Sequence, residues 1–337
     1  MNLQDYKNIW VVLEISNGIV NKAGLELLNQ GKKLAETAGE KVVAVVIGKD
    51  AEEAVKTAAC YGTDEVIVVE GNEYKDYNTD IYTTAVVSLV EKYRPSAIIM
   101  GATKNGKDLL SRVAGRLQVG SASDCIAVEK GEDGSLAWTR SVYGGKMLNT
   151  VTFPETRPQI GTVRPSAYEK AQADFDRTAN VIKEQIQTPA DKIRTKVLEL
   201  LLTTAGEGLK LEEAEVVVGC GRGIGKAENV ELFKELASVL GGTIGGTRAC
   251  IDTGWLPYSL QIGQSGKSIA PKLYIACGIS GSTQHISGVT SSDVIIAINK
   301  DPDAPIFDIA DYGVVGDIFE VVPVLIEEIM KHQLVTA

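Results

Sequence analysis

The chain is built on short apolar runs that leave no face for water. "NIWVVLEI" (8–15), "KVVAVVIG" (41–48), "DEVIVVEG" (64–71) and "SAIIMGA" (96–102) are rich in β-branched residues and nearly continuous in apolar ones. A strand that is apolar on both sides must be covered on both sides, which is the condition of a parallel sheet between two helical layers. The intervening segments supply those layers. "NKAGLELLNQGKKLAETAG", "DAEEAVKTAACYG", "TDIYTTAVVSLVEKYRP" and "NGKDLLSRVAGRLQ" have helical spacing and stop at or near Gly, or at Pro95. The fold class is α/β, with a doubly wound parallel sheet.

From about residue 123 the texture becomes strand-rich. Glu132-Asp133-Gly134 is a hairpin signal, and "LNTVTFP" and "PQIGTVRP" are further short strands expected to extend the first sheet. "RTKVLELLLT" (194–203) fits a strand or a helix, and periodicity does not choose. The polar, glycine-bearing "TTAGEGLKLEEA" (203–214) reads as a linker. It divides the 337 residues into an N-terminal α/β domain, 1–204, and a second α/β domain, 205–337. The second domain repeats the alternation with "EVVVGC" (215–220), "ENVELFKELASVLG" (228–241), "KLYIACG" (272–278), "DVIIAINK" (293–300) and a final helix, "DIFEVVPVLIEEIMKH".

A net charge of −10 argues against general affinity for nucleic acid, which needs basic surface to displace counterions. No apolar run approaches the ~20 residues that span a bilayer. The start, "MNLQDYKNIWVVLEI", lacks the basic n-region of a signal peptide, so a cytoplasmic protein is expected. None of the five cysteines forms a C-x-x-C pair, and they are expected to be reduced, behaving as small hydrophobes; no metal site is expected.

In open parallel sheets ligands bind beyond the carboxyl ends of the strands, and in the second half those positions are polar. After the first strand, "GCGRGIG" lets the backbone approach a ligand while Arg222 offers a fork of donors for phosphate. Ile224 stands where a dinucleotide fingerprint has its third glycine, and a tight strand-to-helix turn would use the same glycines. Arg248 follows three small residues at a strand end, where a solvated surface arginine is the alternative. Gln264-Ser265-Gly266-Lys267 is a hydroxyl- and amide-bearing turn. Ser280, Gly281, Ser282 and Thr283 can present N–H groups and hydroxyls to an anion. Gln284 and His285 can donate to a carbonyl-rich ring, and negative charge developing there would raise the histidine's pKa. Asn299, Asp301, Asp311 and Asp317 are turn residues or acceptors for ribose hydroxyls. Together these ends suggest one large polar ligand with a diphosphate. With no nucleophile elbow, metal pair or paired carboxylates, the chemistry is expected from a cofactor.

"GCGRGIG", "GTRACIDTGWLP", "QIGQSGK", "APKLYIACGISGSTQHISG", "IIAINKDPDAPIF" and "ADYGVVGDIF" follow one another in an order and spacing that resembles the α subunit of electron transfer flavoproteins. The resemblance implies a heterodimer with a β subunit and an FAD held mainly by the second domain. It implies electron exchange with flavoenzymes such as acyl-CoA dehydrogenase and, in bifurcating members, with NADH and ferredoxin or flavodoxin. By matching motifs, Arg222, Thr247, Ile262, Gly263, Gln264, Ser265, Ser280, Gly281, Ser282, Thr283, Gln284, His285, Asn299 and Asp317 would line the FAD. Arg248 would lie against the isoalloxazine, Ser265 would reach N5, and His285 would sit near the pyrimidine carbonyl, all three tuning the flavin. The family commonly has Ser where Thr247 stands, Thr where Ser265 stands, and Ala-Ile where Ser282-Thr283 stands. The first two exchanges keep a hydroxyl, and the third makes the pocket more polar. On the residues alone, an NAD-using enzyme or a nucleotide sensor on a similar fold are the competing readings.

Overall fold

The computed structural model describes residues 2–131, 134–143, 145, 147–200, 211, 212 and 214–336, with side chains through 332. The chain divides into two compact units, Met1–Val142 with Leu148–Leu201, and Tyr143–Met147 with Leu202–Ala337. The 204/205 boundary and most of the 203–214 linker lie outside the described residues.

In the first unit β1 (Ile9–Leu13) leads through the small antiparallel pair β2 (Ile15–Ser16) and β3 (Ile19–Val20) into α1 (Lys22–Ala38). The alternation continues with β4 (Val42–Gly48), α2 (Glu52–Cys60), β5 (Glu65–Glu70), α3 (Thr79–Tyr93), β6 (Ala97–Gly101) and α4 (Lys104–Leu117). Then come β7 (Ser121–Cys125), β8 (Ala127–Lys130), β9 (Leu136–Val142), β10 (Met147–Val151), β11 (Gln159–Val163) and β12 (Asn180–Glu184). The main sheet runs β12-β5-β4-β1-β6-β11-β7, parallel throughout. β1 shows why its sequence is apolar at every position: Ile9, Val11 and Leu13 enter one core, while Trp10 and Val12 enter the other. Capping side chains start three of the helices, Asn21 for α1, Asn78 for α3 and Thr103 for α4, each accepting from backbone N–H groups of the first turn.

The structure decides the strand-rich stretches as follows. "PQIGTVRP" joins the main sheet as expected, as β11 between β6 and β7. "LNTVTFP" does not join it: β10 lies in a separate three-stranded sheet, β10-β9-β8. Its Met147 and Leu148 are 56% and 61% exposed, which no strand of a doubly covered sheet could be. "RTKVLELLLT" is neither helix nor strand over 194–200, and 201–203 lie outside the described residues. The hairpin signal holds in that β8 and β9 pair antiparallel, Lys130 opposite Leu136, although Glu132 and Asp133 themselves are not described.

The second unit contains β13 (Val216–Cys220), α5 (Val230–Val239), β14 (Thr243–Gly246), α6 (Arg248–Asp252), β15 (Leu273–Cys277), α7 (Thr283–Ile286), β16 (Val294–Asn299), β17 (Tyr312–Val315) and α8 (Ile318–Thr336). Its sheet, β14-β13-β15-β16-β17, is also parallel throughout. One core holds Cys220, Phe233, Cys277, Ile298 and Val322, and the other holds Val217, Tyr274, Ile295 and Ile306. All five cysteines are free, and all but Cys60 are buried. Among the described residues no helix is long and apolar enough to cross a membrane.

Candidate functional site at the carboxyl ends of the second sheet

The order of the second sheet fixes where a ligand can lie. β13, first in the chain, sits between β14 and β15, so the strand order reverses between β13 and β15. Such a reversal opens a crevice outside the carboxyl ends of the two strands. The loops that leave those ends meet through backbone. Gly221 N–H donates to the Cys277 carbonyl at 2.9 Å, and Gly223 N–H to the Gly278 carbonyl at 3.0 Å. A Cβ on Gly221 would lie 2.1 Å from the Gly278 oxygen, so only glycine permits this approach.

Neighbouring loops are tied to this pair one by one. Thr247 N–H donates to Cys220, Ile262 N–H to Gly246, and Gln264 N–H to Gln284 at 2.7 Å. Ile306 N–H reaches the Ser280 carbonyl, and Asn299 Nδ2 donates to the Ile279 carbonyl at 2.9 Å. Arg222, Thr247, Arg248, the 262–265 turn, Ser280 to His285, Asn299 and Asp317 therefore all stand on one side of one sheet. Asp311 does not. It precedes β17, at the opposite end of the strands, where its carboxylate accepts from Ile295 N–H at 2.8 Å. Of its two readings, turn residue or ribose acceptor, only the first survives. Asp301 likewise closes a turn by accepting from Asp303 N–H, and Asp317 accepts from Phe319 N–H at the start of α8.

The side chains on this rim differ in freedom. Arg222, Gln264, Ser265, Ser280, Ser282, Thr283 and Gln284 are exposed. Arg248 opens α6 with 72% of its side chain exposed, its Nε 3.3 Å from Asp252. Ser265 is held from two sides: buried Gln261 donates Nε2 to its hydroxyl oxygen at 2.9 Å, and the Tyr258 hydroxyl donates to its carbonyl at 2.9 Å. The amide occupies one lone pair of the oxygen and leaves the Ser265 O–H available as a donor.

His285 is different. It is 4% exposed, with Nδ1 3.2 Å from the Ile262 carbonyl and Nε2 2.8 Å from the Tyr274 hydroxyl. Burial pulls its pKa down to about 4, with the Ile262 bond opposing. Around it burial drives the other titratable groups toward their neutral forms: Tyr274 and Cys220 go well up, and the Cys277 thiol rises to about 12. Gln261, Tyr258 and Tyr274 were missed by the sequence reading. Each lies in or beside an apolar run and reads as packing, and no local spacing announces a partner several residues away.

A guanidinium, several hydroxyls, backbone N–H groups and a wall that a Cβ would fill make a donor set suited to a diphosphate with polar rings at its ends. The residues present fit FAD.

Two family models match the chain. That of the electron transfer flavoprotein domain covers residues 9–188, and that of the electron transfer flavoprotein FAD-binding domain covers residues 210–290. Among curated proteins, the chain is 45% identical to the electron transfer flavoprotein subunit alpha of Thermoanaerobacterium thermosaccharolyticum, over 98% of this chain and 99% of that protein. It is 41% identical to the subunit of the same name from Megasphaera elsdenii, over 99% of each. It is 37% identical to the acryloyl-CoA reductase electron transfer subunit beta of Anaerotignum propionicum, over 98% of this chain and 97% of that one.

Proposed function

The chain belongs to the electron transfer flavoprotein α-subunit family, carries FAD and serves electron transfer, and from that premise we propose how its own residues do so and with whom. The observation that carries the reading is the gathering of Arg222, Arg248, Ser265 and the Ser280–Thr283 loop at the carboxyl ends of one parallel sheet.

Bound FAD supplies the electron-accepting chemistry that side chains lack. Arg222 and the 280–283 loop bind its diphosphate, Arg222 through paired donors and the loop through N–H groups and hydroxyls. Arg248 would set a positive charge beside the ring system, and Ser265, whose oxygen accepts from Gln261, would offer it an O–H. Thr247, the 262–264 turn, Gln284, Asn299 and Asp317 complete the lining, with Asn299 acting through the Ile279 carbonyl it braces. Positive charge beside a group that gains an electron raises its affinity for that electron, and each tenfold gain in that affinity raises a one-electron potential by about 59 mV.

The partner in this proposal is an electron transfer flavoprotein β subunit in a heterodimer. The electron donors or acceptors are flavin dehydrogenases of CoA esters, the acyl-CoA dehydrogenase type. The likeness to an acryloyl-CoA reductase subunit supports that class. Flavin-based bifurcation from NADH to ferredoxin or flavodoxin is the extended form, and it requires a second flavin in the partner. Action in the cytoplasm belongs to the same proposal, since five free thiols suit a reducing compartment.

Co-purification with the β subunit tests this. A yellow heterodimer is expected, and two flavins per heterodimer with NADH-driven ferredoxin reduction would establish the extended form. Arg248→Ala should lower the potential of the bound FAD by tens of millivolts, measured by dye-equilibrated reductive titration. An unchanged potential removes Arg248 from this role, and a colourless complex that binds NAD overturns the FAD reading.

A further inference from the structure

α6 is a helix of five residues, too short to persist in water by itself, so whatever docks it decides where its side chains stand. Arg248 is its first residue. Among the described residues the hydrogen-bonding and ionic partner of that side chain is Asp252, four positions on in the same helix. No side chain outside α6 holds the guanidinium, so its place follows the placement of the helix.

The docking runs through Cys250, which is 0% exposed. The Cys220 carbonyl closes β13 and has two lone pairs to offer. Thr247 N–H donates to it at 3.0 Å, and the Cys250 thiol donates to it at 3.1 Å. The sulfur in turn accepts from the Thr247 hydroxyl at 3.6 Å. That N-cap hydroxyl makes no bond to the helix backbone, so the usual side-chain cap is absent and the sulfur takes its place as partner. Burial raises the pKa of the thiol, which therefore keeps the proton it donates. The Cys250 carbonyl accepts from Trp255 N–H at 3.0 Å and from the Thr253 hydroxyl at 3.1 Å. One residue thus joins the strand end, the start of the helix and the return that follows it. The Thr247 bond alone would be a pivot. A second bond, from the residue three positions further along, sets the tilt.

We propose that Cys250 is a positioning residue for Arg248: its S–H bond to the Cys220 carbonyl fixes how α6 lies on the end of β13, and so where the guanidinium stands. The proposal rests on the reading of Arg248 as the charge beside the flavin, whereas the thiol bond itself is a property of the chain alone.

The test uses the heterodimer with β subunit and FAD, carrying Cys250→Ala, Cys250→Ser, Arg248→Ala, or Cys250→Ala with Arg248→Ala, each checked for folding by circular dichroism. Cys250→Ala should shift the potential of the bound FAD downward, in the direction of Arg248→Ala and by less. Cys250→Ser, whose hydroxyl can donate to the same carbonyl, should restore most of the shift. In the double variant the loss of the thiol should add nothing to the loss of the arginine. An unshifted Cys250→Ala potential, additive shifts in the double variant, or a serine no better than alanine each overturns the proposal. If Cys250→Ala does not fold, Cys250→Val, which refills the space without a donor, takes its place with the same expected shift. Hydrogen exchange in the full chain without flavin reads the anchor separately. Exchange over 250–256 should quicken in Cys250→Ala and return in Cys250→Ser while β13 stays protected, and unchanged exchange overturns the anchor and the proposal with it. Quickened exchange beside an Arg248→Ala potential that does not move would instead remove the charge reading of Arg248 and leave the thiol anchor standing.

Discussion

His285 exchanges water for a tyrosine hydroxyl and a carbonyl on folding, and its charged form is left outside. The unfolded chain has an ordinary histidine pKa of about 6.5, whereas the folded one lies at about 4. Between those values the unfolded chain binds more protons, so stability falls as pH drops from about 7 toward 4 and loses nothing further from this group below that. The whole effect is about 3 kcal/mol. The expected outcome is a urea midpoint for the second unit that falls between pH 7.5 and 4.5, and falls less in His285→Gln. Equal pH dependence in the two proteins would show that the imidazole is not buried neutral. At this scale the sequence was informative where polarity marks a strand end, as at Arg222, Arg248, Ser265 and Ser280. It was silent on Tyr274 and Gln261, because a tyrosine or glutamine beside an apolar run looks like packing until its partner is seen. For His285 it identified the residue but expected an outward donor, and the structure turns both nitrogens inward.

Elements were legible in proportion to their length and to how much of their pairing is local. The long helices α1, α3 and α4 announce themselves by spacing and caps, and β1, β4, β5 and β6 by continuous apolarity. β17 has four residues, all exposed, and no periodicity to read. β10 and β11 look alike in sequence, and only burial separates them: β11 is wholly buried and β10 almost wholly exposed. The stretch after β12 is held by a side chain that no local pattern marks. Asp80, 3% exposed in the first turn of α3, pairs with Arg112 and with Arg194 Nη2 at 3.1 Å, and accepts from Arg194 N–H at 2.9 Å. The Arg194 backbone bond leads the influences that hold its carboxyl below the usual range, so this anchor stays charged at a pH where an ordinary aspartate begins to protonate. Asp80→Asn keeps the shape and removes the charge, at a cost of about 2 kcal/mol. It should speed hydrogen exchange at 193–196 by tenfold or more while leaving β4 and β5 protected. Unchanged exchange there would mean that Asn78, which donates to the Thr195 carbonyl at 2.8 Å, suffices alone.

Two main parallel sheets, each with a core on either face, make the molecule two folding problems, and the repeated alternation of strand and helix was enough to predict that much. The sequence could not supply strand order, because which parallel strands become neighbours is decided by contacts far apart in the chain. Since FAD binds the second unit, ligand should stabilise that unit preferentially, by about 2.7 kcal/mol at a hundredfold excess over its Kd. The tryptophans allow a direct check: Trp10 and Trp138 lie in the cores of the first unit, and Trp255 packs on a core of the second. With Trp10 and Trp138 replaced by Phe, the Trp255 melting signal should move upward with FAD. A shift of the same size from Trp10 and Trp138 in a Trp255→Phe protein would mean that the units melt as one. The glycine contact between Gly221 and Gly278 also bears on how chains of this kind can diversify. Backbone against backbone leaves no side chain to exchange, so the inner wall of the crevice offers evolution nothing to adjust. Variation must act on the outer ring instead, where a hydroxyl at Thr247, Ser265, Ser282 or Thr283 can be gained, lost or lengthened while the cradle keeps its width.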